Sequence, residues 1–248
     1  MLCTVWETDE ASLFLFGIEF EVRSRAIMKT RHNRLSRIAG TLVGIAAWLG
    51  LIVQFYVTQT NPNLSDVSPF ERTLRYFEYF TIITNLIVAV SLTGSLLLSR
   101  TRIGEFFARS STATAVAVHI AMVGLVYNLV LASLHEFAGA AQLANFLTHI
   151  LVPLAYVAYW LFFVRKGQVK WTMPFIWLIY PAVYVIYALL RASATGRYPY
   201  PFLDVGRLGA QPVFFNAVAL TIAFFALGEL FVAADKLLAR MFRDRPAE

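Results

Sequence analysis

The stretch from Asn145 to Phe163 contains nineteen residues without a single Asp, Glu, Lys or Arg. An α-helix of about that length crosses a hydrocarbon layer of roughly 30 Å. Because a backbone in lipid must satisfy its own hydrogen bonds, a spanning segment is either a helix or part of a closed β-barrel. This run is continuously apolar rather than alternating, which favours the helix. The stretch therefore predicts one transmembrane helix.

Five further apolar runs of similar length lie along the chain, separated by short polar and basic segments. Hydrophobic residues make up 58% of the 248 residues, and charged residues only 15%. This pattern is typical of a multi-pass membrane protein. We predict an all-α integral membrane bundle of six transmembrane helices. The predicted helices cover residues 35–56, 74–98, 112–134, 141–163, 173–190 and 213–238.

The two ends of the chain are polar and predict tails outside the bundle. We expect residues 1–34 to form a cytoplasmic N-terminal tail, residues 35–240 the transmembrane domain, and residues 241–248 a cytoplasmic C-terminal tail. We expect residues 1–27 to be disordered or to precede a natural start at Met28. The apolar patch within them is too short to span a membrane, and its positive charges follow it, which is the reverse of a signal peptide.

Lysine and arginine residues are distributed unevenly between the two predicted sides. The tails and the connections between predicted helices 2 and 3 and between 4 and 5 carry 16 of them, and the other connections carry 5. The positive-inside rule therefore predicts that both termini are cytoplasmic. Because these residues flank apolar runs, the net charge of +6 indicates contact with membrane lipids and not with nucleic acid. Arginine outnumbers lysine, which is typical of GC-rich bacteria, so we expect a bacterial plasma membrane.

Predicted helix 2 carries a stripe of polar side chains near its beginning. Glu78, Thr81 and Asn85 recur at intervals of three and four residues, with Thr84 beside them. Such spacing places the first three on one helical face. Polar groups in lipid are costly unless they face protein or a water-filled cavity, so we expect this stripe to face the bundle interior. Ordinary interhelical hydrogen bonds, worth about 0.6 kcal/mol each, are the alternative interpretation.

Predicted helix 4 carries the second stripe, formed by Asn145 and His149 four residues apart. Helices 2 and 4 begin on the same side of the membrane, so Thr81 and His149 are expected at similar depth. His149 is either a histidine hydrogen-bonded to a neighbouring helix or a base or ligand in an intramembrane site. A second polar level holds His119 and Glu229, and we expect the carboxylate to lie beside His119 unless it extends to the cytoplasmic interface.

Metal and cofactor chemistry finds little support in the sequence. Cys3 is the single cysteine, which excludes a disulfide framework within the chain and a cysteine-based metal site. The two histidines of the predicted helices are expected at opposite depths, which argues against a shared haem or metal. Phosphate-loop, zinc-protease and serine-hydrolase motifs are also missing from the sequence. We therefore predict no cofactor and no metal.

Four segments of the chain resemble a known family. FTIITN (80–85), NFLTHILVP (145–153), RYPYPFLDV (197–205) and FFALGEL (224–230) together look like the Pr6Pr family of bacterial six-helix membrane proteins. That family is similar to the animal androgen-induced membrane proteins, which are threonine hydrolases. Those enzymes cleave fatty acid esters of hydroxy fatty acids with a threonine and a histidine inside the membrane. The resemblance covers residues 35–240 and implies a lipid-ester substrate.

The resemblance assigns roles to individual residues of this chain. It implies Thr81 as nucleophile and His149 as base. In the animal enzymes the threonine precedes an Asn or Asp by three residues, whereas Asn85 follows Thr81 by four, so Thr84 is the alternative nucleophile. The predicted supporting residues are Glu78, Asn85, Asn145, Tyr200 and Asp204.

The residue types fit this chemistry but do not require it. A threonine hydroxyl needs an adjacent base, which His149 can provide, and Asn85 or Asn145 can donate to an oxyanion. A threonine in a helix otherwise bonds to its own helix carbonyl, which is the alternative for Thr81. A lipid or small-molecule carrier, or an assembly factor without catalysis, remains the competing functional class.

Overall fold

The computed structural model describes the backbone of residues 9–134 and 136–243, and the side chains of residues 33–134 and 136–241. This described part of the chain is helical with connecting turns and contains no strand. The α-helices are α1 (Asp9–Gln59), α2 (Pro69–Tyr76), α3 (Phe80–Leu97), α4 (Arg102–Ala108), α5 (Ser110–Val126), α6 (Gly139–Phe146), α7 (Val152–Phe163), α8 (Met173–Trp177), α9 (Ile179–Thr195), α10 (Val205–Leu208) and α11 (Ala210–Arg243). Short 3-10 turns cover Pro62–Leu64, Ala132–Leu134 and Pro201–Leu203.

Within the described residues, six helical segments are long and apolar enough to cross a membrane. They cover Asn33–Gln59, Phe80–Leu97, Ser110–Leu134, Gly139–Phe163, Met173–Thr195 and Ala210–Met241. The predicted all-α bundle of six spans is thereby confirmed, and the chain is an integral membrane protein. Large apolar side chains such as Leu97 and Leu129 stand on the outside of the spans, as contact with lipid tails requires.

The chain divides into two compact units, residues 1–39 and residues 40–248. In the first unit, α1 begins at Asp9, where the sequence predicted an irregular tail. Residues 1–8 and 244–248, parts of the two predicted tails, lie outside the described residues. The second unit holds the bundle, in which α5 packs against α3, α7 and α11. Several of its fully buried residues are alanines, among them Ala47, Ala89 and Ala117, which lets the helices approach closely.

The second span does not begin where the sequence predicted. The prediction was one helix from Leu74, but α2 ends at Tyr76 and α3 begins at Phe80, with Tyr79 extended between them. Two tyrosines of α9 stabilise the break, because the Tyr184 hydroxyl donates to the Glu78 carbonyl at 2.8 Å. The Tyr187 hydroxyl donates to the Phe77 carbonyl at 3.4 Å. Glu78 therefore precedes the helix, and the predicted stripe of three residues on one helical face is wrong for this residue.

The fourth span contains a π-helical turn at Leu147–Leu151, directly before Pro153. The Val152 N–H bonds to the Leu147 carbonyl, and Pro153 has no N–H to offer. The carbonyls of Thr148 and His149 are consequently left without helical donors. Asn85 donates to the first at 3.2 Å. Asn128, in the π-helical turn Tyr127–Leu131 of the neighbouring span, donates to the carbonyl of His149 at 3.3 Å. Two asparagines thus fix the turn that carries His149.

The connection between α9 and α11 folds over one end of the bundle. Gly196 ends α9 with a left-handed conformation, φ +69°, which a glycine adopts without strain. Asp204 caps α10 by accepting the Arg207 N–H at 2.9 Å. Asn216 of α11 donates to the Phe202 carbonyl at 2.9 Å and so ties this connection to the last span. The connection thereby positions Tyr200 over the beginning of α3.

Candidate functional site

A cavity of about 510 Å³, called the polar cavity because Arg75, Glu78 and Arg197 are among its lining residues, lies at the end of the bundle beneath the α9–α11 connection. Its lining includes five of the predicted site residues: Glu78, Thr81, Asn145, His149 and Tyr200. They come from the beginning of α3 and the break before it, from the fourth span and from the α9–α11 connection, which are far apart in sequence. The structure therefore brings the predicted nucleophile and the predicted base to one cavity.

An apolar cavity of about 330 Å³ adjoins the polar cavity. The two linings have four residues in common: Thr81, Tyr127, Leu131 and Tyr200. A lateral apolar groove of about 600 Å³ in turn shares Met122, Val126, Phe202 and Leu220 with the apolar cavity. Thr81 and Tyr200 thus stand in the wall between a polar and an apolar compartment.

Thr81 occupies the second position of α3, where a backbone N–H has no helical acceptor. The Tyr200 oxygen lies 3.4 Å from this nitrogen and 3.5 Å from the Thr81 hydroxyl oxygen. Other threonines in the spans, such as Thr93 and Thr114, bond to the carbonyl four residues earlier. Thr81 does not, because α3 has no preceding turn at this point. The alternative interpretation, in which the Thr81 hydroxyl bonds to a carbonyl of its own helix, is therefore not observed.

Burial raises the pKa of the Tyr200 hydroxyl above its ordinary value, and hydrogen bonds with Thr81 act in the opposite direction. The hydroxyl consequently keeps its proton at neutral pH and remains a hydrogen-bond donor. The Thr81 N–H donates to the Tyr200 oxygen, so two hydrogen-bond donors lie beside the Thr81 hydroxyl. Helix N-termini favour developing negative charge, which adds to the same effect.

The hydrogen bonds of His149 define which ring nitrogen carries the proton. The Thr148 hydroxyl donates to the Ala144 carbonyl at 2.8 Å, so its oxygen is free to accept from the histidine. His149 Nδ1 lies 3.1 Å from that oxygen and 3.3 Å from the Asn145 carbonyl. Since both groups accept there, Nδ1 holds the proton in the neutral ring. Nε2, for which the described residues offer no hydrogen-bond partner, is then the nitrogen that can take up a proton.

The ring of His149 stacks on Tyr127, with ring centroids 3.9 Å apart and planes inclined by 25°. Tyr127 belongs to the π-helical turn of the third span, and His149 to that of the fourth. Two widened turns therefore face each other across the stack. Stacking and the Nδ1 bonds together hold the imidazole in one orientation.

The two predicted oxyanion donors have different surroundings. Asn85 is fully buried and gives both amide hydrogens to backbone carbonyls, to Thr81 at 2.8 Å and to Thr148 at 3.2 Å. It therefore positions the two segments and has no hydrogen left for an oxyanion. Asn145 lines the polar cavity, and its side-chain oxygen is buried without a hydrogen-bond partner in the described structure.

Two other predicted residues lie apart from the cavities. Thr84 is fully buried, its oxygen is 2.8 Å from the Tyr180 hydroxyl, and it lines neither the polar nor the apolar cavity. Asp204 serves as the cap of α10 and likewise lines neither cavity. Of the two threonines, Thr81 lines both cavities and shares the polar cavity with His149, whereas Thr84 lines neither.

A charged cluster of five residues borders the polar cavity, and only Glu78 was singled out from the sequence. Arg191 donates to Glu78 at 2.6 Å and to both oxygens of Glu71 at 3.2 Å. Arg197 donates to Glu71 and lies 3.5 Å from Glu78. Arg75 donates to Glu71 at 3.3 Å. Burial raises the pKa of Glu71, but the hydrogen bonds from the three arginines prevail and hold it below 4.5.

The sequence held a weak signal for this cluster. Glu71 and Arg75 are four residues apart, the spacing of an ion pair on a helix. The other partners join from more than 100 residues away, at Arg191 and Arg197. No spacing rule connects such distant positions.

The second polar level, which was predicted to hold His119 and Glu229 side by side, has different hydrogen-bond partners in the structure. His119 is buried, and its Nε2 lies 3.0 Å from the Trp177 carbonyl. Glu229 is half-buried and forms no ion pair or hydrogen bond with the described residues. The predicted pairing of Glu229 with the His119 region is therefore wrong at the level of polar contacts.

Comparison of the chain with protein-family models, curated proteins and solved structures finds no match in any of the three. The resemblance to the Pr6Pr family stays a prediction from the four sequence segments.

Proposed function

We propose that the protein is an intramembrane lipid-ester hydrolase of the type that cleaves fatty acid esters of hydroxy fatty acids, in which Thr81 is the nucleophile and His149 the base. One observation carries the proposal: both side chains line the polar cavity, and Thr81 also borders the apolar cavity. An ester of a fatty acid has a polar carbonyl group attached to a long apolar chain. A wall between a polar and an apolar compartment is where such a carbonyl would be held.

The reaction would begin with attack of the Thr81 oxygen on the ester carbonyl, while its proton passes to Nε2 of His149. The N–H of Thr81 and the hydroxyl of Tyr200 stabilise the negative charge on the former carbonyl oxygen. Collapse of the intermediate breaks the ester bond, and His149 returns the proton to the leaving alcohol. The acyl group is then bound to Thr81.

Water completes the cycle by attacking the acyl-threonine carbonyl. His149 takes a proton from this water, and the Thr81 oxygen leaves and recovers that proton. The products are the carboxylic acid and the alcohol, and both catalytic residues return to their starting states. Members of such a pair act as a unit, so removing either one abolishes most of the rate.

The test combines covalent labelling with substitution. Purified protein should react with a fluorophosphonate probe and hydrolyse a fatty acid ester of a hydroxy fatty acid. Thr81→Ala and His149→Ala, each confirmed folded, should lose both properties, whereas Thr84→Ala should retain them. Full activity in His149→Ala would end the hydrolase proposal, and loss in Thr84→Ala alone would move the nucleophile to that residue.

A carrier that binds lipid without cleaving it is the second candidate, and one observation favours it. The Thr81 hydroxyl contacts Tyr200 and forms no hydrogen bond with His149. The adjoining cavities would bind an amphiphile whether or not a reaction follows. Saturable binding of a lipid ester with no turnover by the native protein would establish this alternative.

We also propose that the protein lies in a bacterial plasma membrane with both termini in the cytoplasm. The support is the distribution of 16 basic residues on one predicted side against 5 on the other. In this orientation the polar cavity opens at the outer side of the membrane. Substrate would then come from the outer leaflet.

A further inference from the structure

The charged cluster beside the polar cavity does not balance its own charge. Three guanidinium groups, those of Arg75, Arg191 and Arg197, surround the two carboxylates of Glu71 and Glu78. One positive charge is therefore left over within the cluster. An anionic group would complement this excess positive charge by accepting charge-assisted hydrogen bonds from the guanidinium groups.

Two arginines of the cluster, Arg75 and Arg197, line the polar cavity and have unused donors there. Arg191 engages Nε and Nη2 and is not part of that lining. Arg75 contacts Glu71 through Nε alone, so its two terminal nitrogens have no acceptor among the described residues. Arg197 uses Nη2 on the carboxylates. A planar guanidinium with both terminal nitrogens available matches the two oxygens of a carboxylate.

The apolar cavity lies on the far side of the wall formed by Thr81 and Tyr200. The lateral apolar groove continues it to Leu125 and Leu129, whose side chains are exposed on the outside of the bundle. A hydrocarbon chain from the surrounding lipid therefore has a continuous apolar lining to follow. The composite site has a cationic polar end and an apolar end.

We propose that Arg75 and Arg197 form a subsite for the carboxylate head of a single-chain amphiphile whose chain occupies the apolar cavity. The inference rests on the proposed function for one point only, the position of the scissile ester at Thr81. When Arg75 and Arg197 bind the free carboxylate of the substrate, an ester group farther along the same chain would lie at Thr81. The protein would then select esters that carry a free acid over neutral esters.

The test measures binding without turnover. Full-length protein in nanodiscs of neutral phosphatidylcholine is titrated with cis-parinaric acid, a fluorescent long-chain acid, and empty nanodiscs correct for partition into lipid. Oleate, methyl oleate and acetate then compete with the probe. Oleate should compete about tenfold or more better than methyl oleate, as expected for loss of charge-assisted hydrogen bonds. Acetate, which carries the head without the chain, should compete poorly.

Arg75→Gln should remove most of the preference for oleate over methyl oleate. Arg207→Gln is the matched control, because Arg207 lies in the α9–α11 connection, is exposed and lines none of the three cavities. Equal competition by oleate and methyl oleate in the native protein overturns the proposal without any variant. Competition by acetate as strong as that by oleate also overturns it. Because hydrolysis is not measured, a failure here is distinct from a failure of the proposed reaction.

Discussion

Replacing Tyr200 with phenylalanine removes one oxygen from the wall between the two cavities. That oxygen lies 3.4 Å from the Thr81 nitrogen and 3.5 Å from the Thr81 hydroxyl oxygen. If the hydroxyl donates to the oxyanion, its loss should lower kcat by about 100-fold or more, the usual effect of removing one such donor. The N–H of Thr81 remains, so some catalysis should survive.

The same change should have little effect on stability. Both contacts of the hydroxyl are long, and hydrogen bonds between membrane helices average about 0.6 kcal/mol. The ring packs edge-on against Tyr79 at 5.9 Å and stacks on Phe202 at 5.1 Å, and phenylalanine keeps both contacts. A 100-fold loss in rate corresponds to about 2.7 kcal/mol, which is several times the expected loss of stability.

The assay compares kcat, KM and thermal unfolding in detergent for the native protein and two variants. Tyr198→Phe is the matched control, since Tyr198 lines the same cavity and its hydroxyl forms no hydrogen bond with the described residues. It should leave kcat unchanged. A Tyr200→Phe variant with native kcat would refute the oxyanion role. A large fall in its unfolding temperature would assign Tyr200 a structural role instead.

Three further predictions concern topology, pH dependence and the asparagine that supports the base. Reporter fusions after Arg165 and after Gly196 should report cytoplasm and exterior, and the reverse result would overturn the proposed orientation. Because the pKa of Glu71 is lowered in the folded protein, its stabilising effect is present above pH 4.5 and lost as the pH falls through the folded value. Unfolding temperatures measured across this range should vary less in Glu71→Gln. Asn128→Leu should cost roughly 0.6 to 1.7 kcal/mol by equilibrium unfolding, because the carbonyl of His149 loses its donor. An unchanged stability would contradict that assignment.

Hydropathy along the chain was sufficient to predict the number of spans and the helical class. An uncharged run such as residues 145–163 is a local property, and lipid requires its backbone bonds to close within the segment. The polar residues Thr81, Asn145 and His149 could also be recognised as candidates, because polar groups in spans are few. Their common cavity followed the expectation that helices 2 and 4 begin on the same side.

The break before α3 could not be read from the sequence. Residues 77–80 are aromatic or acidic and include neither glycine nor proline, so nothing local ends the helix there. The carbonyls of Phe77 and Glu78 are instead satisfied by hydroxyls of Tyr187 and Tyr184, more than 100 residues away. This break places Thr81 at a helix N-terminus, so the packing of α9 decides that the Thr81 N–H has no acceptor within the helix and bonds to Tyr200 instead.

The surroundings of His149 depend partly on the local sequence and partly on tertiary packing. Pro153 is visible in the sequence, and its missing N–H predicts a carbonyl without a helical donor. Which groups would satisfy the freed carbonyls depended on packing, which brought Asn85 and Asn128 to the turn. Local composition therefore determined that the chain spans the membrane, while partners from distant segments decided the geometry of the site. The physical reason is that hydropathy sums over neighbours in sequence, whereas a hydrogen bond depends on which side chains meet in space.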